Sequence, residues 1–237
     1  MNINAYTLST IVSEINAIVK SNDKKIIANQ NLHSIYLCMK NRELYNFINA
    51  QSVHADGMSL ILLARLFGME LKRENRITYV DFLPELLKMA QKHNHKVFIL
   101  GGTKESNSLG ISKLKTQYPT LIIMGHDGYS PHGIVDKINQ FHPNILLVGI
   151  GMPQQEFWIR DNYSKVNCNV FLPSGAIIDY VSGYYKTPPR WAGRMGVEWL
   201  FRLLGNPGYL WKRYLLEPVY ILFHFKQLTK MFKVDLK

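Results

Sequence analysis

Ile145-Leu146-Leu147-Val148-Gly149-Ile150-Gly151-Met152-Pro153 is an unbroken apolar run that stops at glycine. A strand with one wet face alternates apolar and polar residues; a strand covered on both faces does not. The run therefore reads as a strand buried on both sides. Four others share the pattern: Ile26-Ile27-Ala28, Lys96-Val97-Phe98-Ile99-Leu100 before Gly101-Gly102, Leu121-Ile122-Ile123-Met124 before Gly125, and Val170-Phe171-Leu172 before Pro173. Helical patterns lie between them, at Ser59 to Phe67, Phe82 to His93, Ser106 to Tyr118, Ile134 to Phe141 and Gln155 to Tyr163. Strand and helix in alternation predict an α/β fold, a Rossmann-like parallel sheet flanked by helices.

The 237 residues suit one α/β domain with an addition. A hydrophobic fraction of 47% excludes a mainly disordered chain. The two cysteines, Cys38 and Cys168, make no disulfide framework and no zinc-ligand spacing. Met1-Asn2-Ile3-Asn4 does not read as a signal peptide. No stretch approaches the ~20 apolar residues that span a bilayer. Two prolines in Thr187-Pro188-Pro189 interrupt the pattern, dividing a core, 1–189, from an appendage, 190–237. From Trp191 onward eight Lys/Arg face three acids, so +5 of the chain's formal +11 lies there, with ten of its 28 aromatics. Basic residues interleaved with aromatic ones suit a surface carrying phosphate above an apolar phase. A basic aromatic C-terminal helical appendage, associating with an anionic membrane from the cytoplasmic side, is the expectation; a terminal helix docked on the core is the plainer reading.

In a sheet of this kind ligands bind where the strands end. Three predicted ends carry glycine: Gly101-Gly102, Gly125 with Gly128, and Gly149 with Gly151. Backbone N–H groups at such turns, with a helix start behind them, suit a phosphate. Gly149-Ile150-Gly151 is half a dinucleotide fingerprint, with Gln154 where the third glycine belongs, so NAD is poorly supported. Each turn is also an ordinary strand-to-helix connection. Asp56, before Gly57, is a turn or N-cap residue or else a general base at the mouth of the sheet. No Asp-x-Asp and no convincing histidine spacing holds a metal, His126, Asp127 and His132 included. A leaving diphosphate then needs arginines and backbone N–H groups.

Seven segments in order resemble the WecG/TagA/CpsF bacterial glycosyltransferases over roughly residues 25–215. They are Ala55-Asp56-Gly57-Met58; Asn75-Arg76-Ile77-Thr78-Tyr79-Val80-Asp81; Phe98-Ile99-Leu100-Gly101-Gly102; Asp127-Gly128-Tyr129; Val148-Gly149-Ile150-Gly151-Met152-Pro153-Gln154-Gln155-Glu156; Gly175-Ala176 to Asp179 with Ser182-Gly183; and Gly196-Val197-Glu198-Trp199-Leu200-Phe201-Arg202-Leu203. The resemblance implies an inverting enzyme, peripheral on the cytoplasmic face of a bacterial membrane. Such an enzyme moves N-acetylmannosamine or a related hexose from a UDP-sugar to a polyprenyl-diphosphate-linked sugar, for surface polysaccharide or teichoic acid. It implies Asp56 as base, Arg76 and Gln155 in the pocket, and appendage arginines, Arg202 and Arg213 here, closing over the nucleotide. Asn29 and Asn31 fall at the family's strand-end Thr-x-Asn, with asparagine for the threonine. Thr187 stands in a common Lys-Arg-Ala-Pro, with Arg190 as a replacement cation. UDP-glucose is the rival donor, and a non-catalytic module binding membrane or nucleic acid the rival of another class. No metal, no nucleic acid and no cofactor beyond the donor is expected; self-association is left open.

Overall fold

The computed structural model describes residues 1–130 and 133–233, without the side chains of Arg190, Arg194, Tyr209 and Lys233. In chain order the elements are α1 (Leu8–Ser21), β1 (Lys25–Gln30), α2 (Leu32–Lys40), α3 (Arg42–Asn49), β2 (Ser52–Ala55), α4 (Met58–Leu66), α5 (Tyr79–Lys92), β3 (Val97–Gly101), α6 (Lys104–Gln117) and β4 (Ile123–His126). There follow α7 (Ile134–Phe141), β5 (Ile145–Gly149), α8 (Gln154–Asn162), β6 (Val170–Pro173) and α9 (Ile177–Ser182). The chain then runs through α10 (Arg190–Met195), α11 (Glu198–Gly205), α12 (Pro207–Trp211), a π-helical turn at Lys212–Leu216, α13 (Glu217–Phe223) and α14 (Phe225–Lys233). The strands form one parallel sheet in the order β2-β1-β6-β5-β3-β4.

Strand alternation divides the core in two. Ile27, Val97, Ile99, Ile145, Leu147, Val170 and Leu172 face α1, α5, α6 and α9. Ile26, Phe98, Leu100, Leu146, Val148 and Phe171 face α7 and α8. Ala28, Val53 and Ala55 continue that second face under α2, α3 and α4. Both faces are apolar because both are covered, which is why the strand sequences read as continuous runs.

The sequence pattern missed β2, whose Ser52-Val53-His54-Ala55 is short and half polar, and it placed β4 two residues early. It also left α1, α2, α3 and α9 unassigned.

The last two helices pack against the core. Ile221, Leu228, Met231 and Phe232 are buried in the cluster that holds α2, α3 and α4. Phe67 stacks on Phe232 at 4.5 Å and on Phe225 at 5.6 Å between ring centroids. Gln227 donates to the Met39 carbonyl at 2.6 Å, and His33 meets Glu217 at 2.7 Å. Among the described residues of the preceding helices α11 and α12 none is fully buried, and Leu204 of α11 with Leu222 and Phe223 of α13 stand 71%, 69% and 83% exposed. The appendage thus combines a docked end with an exposed apolar middle.

Phe232→Ala is expected to cost about 3 kcal/mol, the usual loss for a buried phenylalanine. Denaturant unfolding measures it; a loss under about 1 kcal/mol would show α14 to be peripheral to the core.

Candidate functional site

β1 parts from β6 at their carboxyl ends. The two pair at Lys25–Val170 and Ile26–Phe171 and no further, while β1 stays paired with β2 as far as Gln30–Ala55. Between the last residues of β1 and the turn after β6 the sheet is left unpaired, a crevice in its backbone hydrogen bonding at the end of a parallel sheet where ligands bind. Asn29, Gln30 and Asn31 border it from β1, and Ser174 and Gly175 from β6.

Asp56 follows β2 directly. Its backbone N–H donates to the Gln30 carbonyl at 2.7 Å, and its Oδ2 accepts from Asn31 Nδ2 at 3.3 Å. Asn31 is also the N-cap of α2, its Oδ1 accepting from Ser34 N at 3.0 Å. Helix start, strand end and carboxylate are so locked together. Gly57 takes φ +96°, a left-handed turn open to glycine, which swings the chain from β2 into α4.

Arg76 lies beside Asp56 because its own backbone bridges Ala55. Its guanidinium meets Asp81 at 3.5 Å and Glu198 at 3.2 Å. It thereby ties α11 of the appendage to the sheet. Arg202, also on α11, lies over the Tyr180 ring at 5.4 Å, with its Nε buried and without a partner among the described residues. Burial opposes its charge, but the fields of Tyr180, Asp56, Tyr214 and Glu198 hold it above its ordinary value. Arg213 lies over the neighbouring Tyr214 ring at 5.8 Å. The Arg190 side chain lies outside the described residues.

Gln155 is fully buried. Its Oε1 accepts from Gly175 N at 3.0 Å and its Nε2 donates to Glu156 Oε1 at 2.7 Å, so it bridges the loop after β5 to the turn after β6. Gly101 and Gly149 are glycines because backbone presses on them. A Cβ on Gly101 would stand 2.2 Å from the Gly149 carbonyl oxygen, and one on Gly149 the same from that of Gly175. Gly151 and Gly102 have positive φ, +87° and +68°. After the edge strand β4 the chain folds back over the sheet: Gly128 N–H donates to the Gly102 carbonyl at 3.0 Å, and a Cβ on Gly128 would stand 2.6 Å from Ile150 Cγ2 and 3.2 Å from Gly101 Cα. Beside it Asp127 Oδ1 accepts from Tyr129 N at 3.0 Å, closing its own turn. The sequence candidates thus divide: Asp56, Asn29, Asn31, Arg76 and Arg202 gather by the crevice, while Gly101, Gly102 and Gly128 meet the Gly149–Gln155 segment at the ends of β3 and β5.

Several groups that the sequence did not single out complete the crevice end. His54 pairs in register with Asn29 and packs on Tyr79 and Phe82 at 6.0 and 6.1 Å. Burial lowers its pKa from 6.5 to about 4. The hydroxyl of Tyr79, Oδ1 of Asn29, Oγ of Ser174 and Oε2 of Glu156 are buried without partners among the described residues. Glu156 is not the first-turn dipole complement its position suggests: it is 1% exposed, and burial lifts its carboxyl from 4.5 to about 7. Among the described residues no group of three or more His, Cys, Asp or Glu is placed to hold a metal ion.

The family described as glycosyl transferase WecG/TagA/CpsF matches residues 1–233. The chain belongs to that family. A relative from Bacillus subtilis (strain 168), named N-acetylglucosaminyldiphosphoundecaprenol N-acetyl-beta-D-mannosaminyltransferase, is 30% identical over 225 residues, covering 92% of this chain and 87% of its own. Relatives of the same name from Staphylococcus aureus strains MRSA252 and MW2 are 27% identical over 206 residues, covering 81% of this chain and 79% of theirs. In this WecG/TagA/CpsF member Asp56 stands directly after β2, beside the crevice.

Two buried groups of this site pull stability in opposite directions with pH. Glu156 binds its proton more tightly when folded, so the stability it contributes is full below pH 4.5 and fades as pH rises towards about 7. His54 binds its proton less tightly when folded, so its contribution is full above pH 6.5 and is lost as pH falls towards about 4. Each slope approaches ~1.4 kcal/mol per pH unit between these limits, and they offset one another. Glu156→Gln should therefore expose a rise in stability with pH from about 4.5 to 6.5, and His54→Phe a fall over the same window. Unfolding free energies across that range would contradict both assignments if the variants ran parallel to wild type.

Proposed function

We propose that this glycosyltransferase moves N-acetylmannosamine, or a related hexose, from a UDP-sugar to a polyprenyl-diphosphate-linked sugar. The observation that carries the reading is Asp56: a carboxylate fixed by Asn31 beside the crevice, in the field of a half-free arginine, Arg202. In the proposed reaction Asp56 takes the proton of the acceptor hydroxyl. That oxygen attacks the anomeric carbon on the face opposite UDP, so the product is inverted. General-base help of this kind is worth ~10²–10⁴-fold. Arg202, Arg213 and Arg190, with N–H groups at Gly149 to Gly151, meet the charge on the departing diphosphate. The names of the relatives support the acceptor class and the mannosaminyl donor.

The appendage supports a site at a membrane surface. Leu200, Leu204, Trp211, Leu215, Leu216, Leu222 and Phe223 are exposed on α11 to α13, with Lys212 among them and Lys226 just beyond, at the start of α14. No described helix is long and apolar enough to cross a bilayer. A peripheral surface, apolar side chains in the interface and lysines at anionic headgroups, fits both facts. The lipid-linked acceptor then presents its diphosphate at the level of Arg202 and Arg213, on the cytoplasmic side where nucleotide sugars are made.

Transfer from a panel of UDP-sugars to a short-chain lipid-diphosphate sugar tests the reading. Asp56→Asn should lower turnover ~10²-fold or more while UDP still binds. More than about a tenth of wild-type turnover in that variant would remove Asp56 from the role of base. Turnover should persist in EDTA, since arginines take the diphosphate charge; loss in EDTA restored by Mg²⁺ would overturn that part.

A further inference from the structure

Glu156 is the third residue of α8, whose N-cap is Pro153. A glutamate there ordinarily reaches back to the N–H of the N-cap residue, and proline has none. The side chain turns inward instead. Oε1 takes the Gln155 amide at 2.7 Å, while Oε2 is buried without a partner among the described residues. Through Gln155 the carboxyl is coupled to Gly175 N and so to the rim of the crevice.

Among the described residues no cation is placed against this carboxyl. From α2 comes the Cys38 thiol, pushed up to about 12 by burial, and from α5 the Tyr79 phenol, raised well above 10 by burial, then by Asp56 and Glu156. Both are neutral. On α8 itself Arg160 is spent on Asp161 and on Glu43 of α3, and His33 of α2 is spent on Glu217. The buried stretches of β5 and β6 carry no titratable side chain. The start of α8 is where a nucleoside diphosphate would rest, so a carboxylate and a ligand anion would share one helix terminus in a poorly screened interior.

We propose that Glu156 is a proton-coupled positioning residue of the donor pocket, taking a proton from solvent when a nucleoside diphosphate docks at the start of α8 and returning it when the nucleotide leaves. The inference rests on the nucleotide-sugar reading of this site. An O–H bond forms at Oε2 and no other bond changes. The neutral acid still accepts Gln155 Nε2 through its carbonyl oxygen, so the bridge to Gly175 persists. Its new O–H gives the orphaned Oε2 position a donor for a ligand oxygen. A carboxyl already lifted to about 7 needs little help to change state near neutrality.

UDP is titrated calorimetrically onto the full chain and onto Glu156→Gln between pH about 6.5 and about 8.5. The wild-type affinity should fall about fivefold more than that of the variant, because ionisation of UDP itself and of remote histidines is common to both. The second measurement needs no variant to fold: the ¹³C-carboxyl titration of Glu156 should shift upward by about one pH unit when UDP saturates the protein. Parallel affinity profiles, or an unmoved carboxyl midpoint, overturn the proposal. Tight binding with parallel profiles sinks the role of Glu156 alone. Failure of UDP to bind at any pH sinks the nucleotide reading and this inference with it.

Discussion

Backbone pressed on backbone sets the shape of this protein. Gly101, Gly149 and Gly175 bring the ends of β3, β5 and β6 so close that a Cβ at either of the first two would collide with a neighbouring carbonyl. An alanine there forces the strand ends apart rather than merely filling space. Between β6 and β1, by contrast, pairing stops at Ile26–Phe171. Two buried polar atoms without a partner among the described residues, Asn29 Oδ1 and Ser174 Oγ, stand on the two banks of that gap.

The sequence disclosed the layered architecture because both faces of the sheet are covered, and continuous apolar runs follow from that. It offered Asp56 as a candidate base through its place before Gly57, although a turn residue would look the same. It did not disclose β2, since a histidine in a four-residue strand breaks any apolar pattern; His54 is tolerated because burial keeps it neutral against Tyr79 and Phe82. Glu156 departs from its local pattern for a related reason. An acid in the first turn of a helix ordinarily faces water, and only the proline at the N-cap signals that its usual partner is missing. The glycines at strand ends suggested phosphate, whereas Gly101 and Gly149 are required by neighbouring backbone before any ligand is considered.

The appendage carried two signals that composition cannot separate. Basic and aromatic residues after Trp191 suit a membrane surface, and the exposed Leu204, Leu222 and Phe223 fit that. Yet Leu228, Met231 and Phe232, in the same composition, are interior. An amphipathic helix docked on protein and one docked on lipid use the same residues. What distinguishes them is the partner surface, here the α2–α4 side of the core, which no local reading of the tail contains.

Charge accounting decides which arginine can serve the proposed reaction. Arg76 is nearest to Asp56 along the backbone, but Asp81 and Glu198 already neutralise it. A diphosphate would have to compete with two carboxylates to use it. Among the described residues Arg202 carries no such pair: it lies over Tyr180, its buried Nε has no partner there, and Asp56 and Glu198 act on it through space. A guanidinium with unspent donors in a poorly screened site attracts phosphate far more than one already forked onto carboxylates. Arg76 then acts as the tie that brings α11, and with it Arg202, over the carboxyl ends of the strands. Removing Arg76 would free Glu198 and loosen the helix that delivers the working cation, so the two arginines contribute to one site by different means.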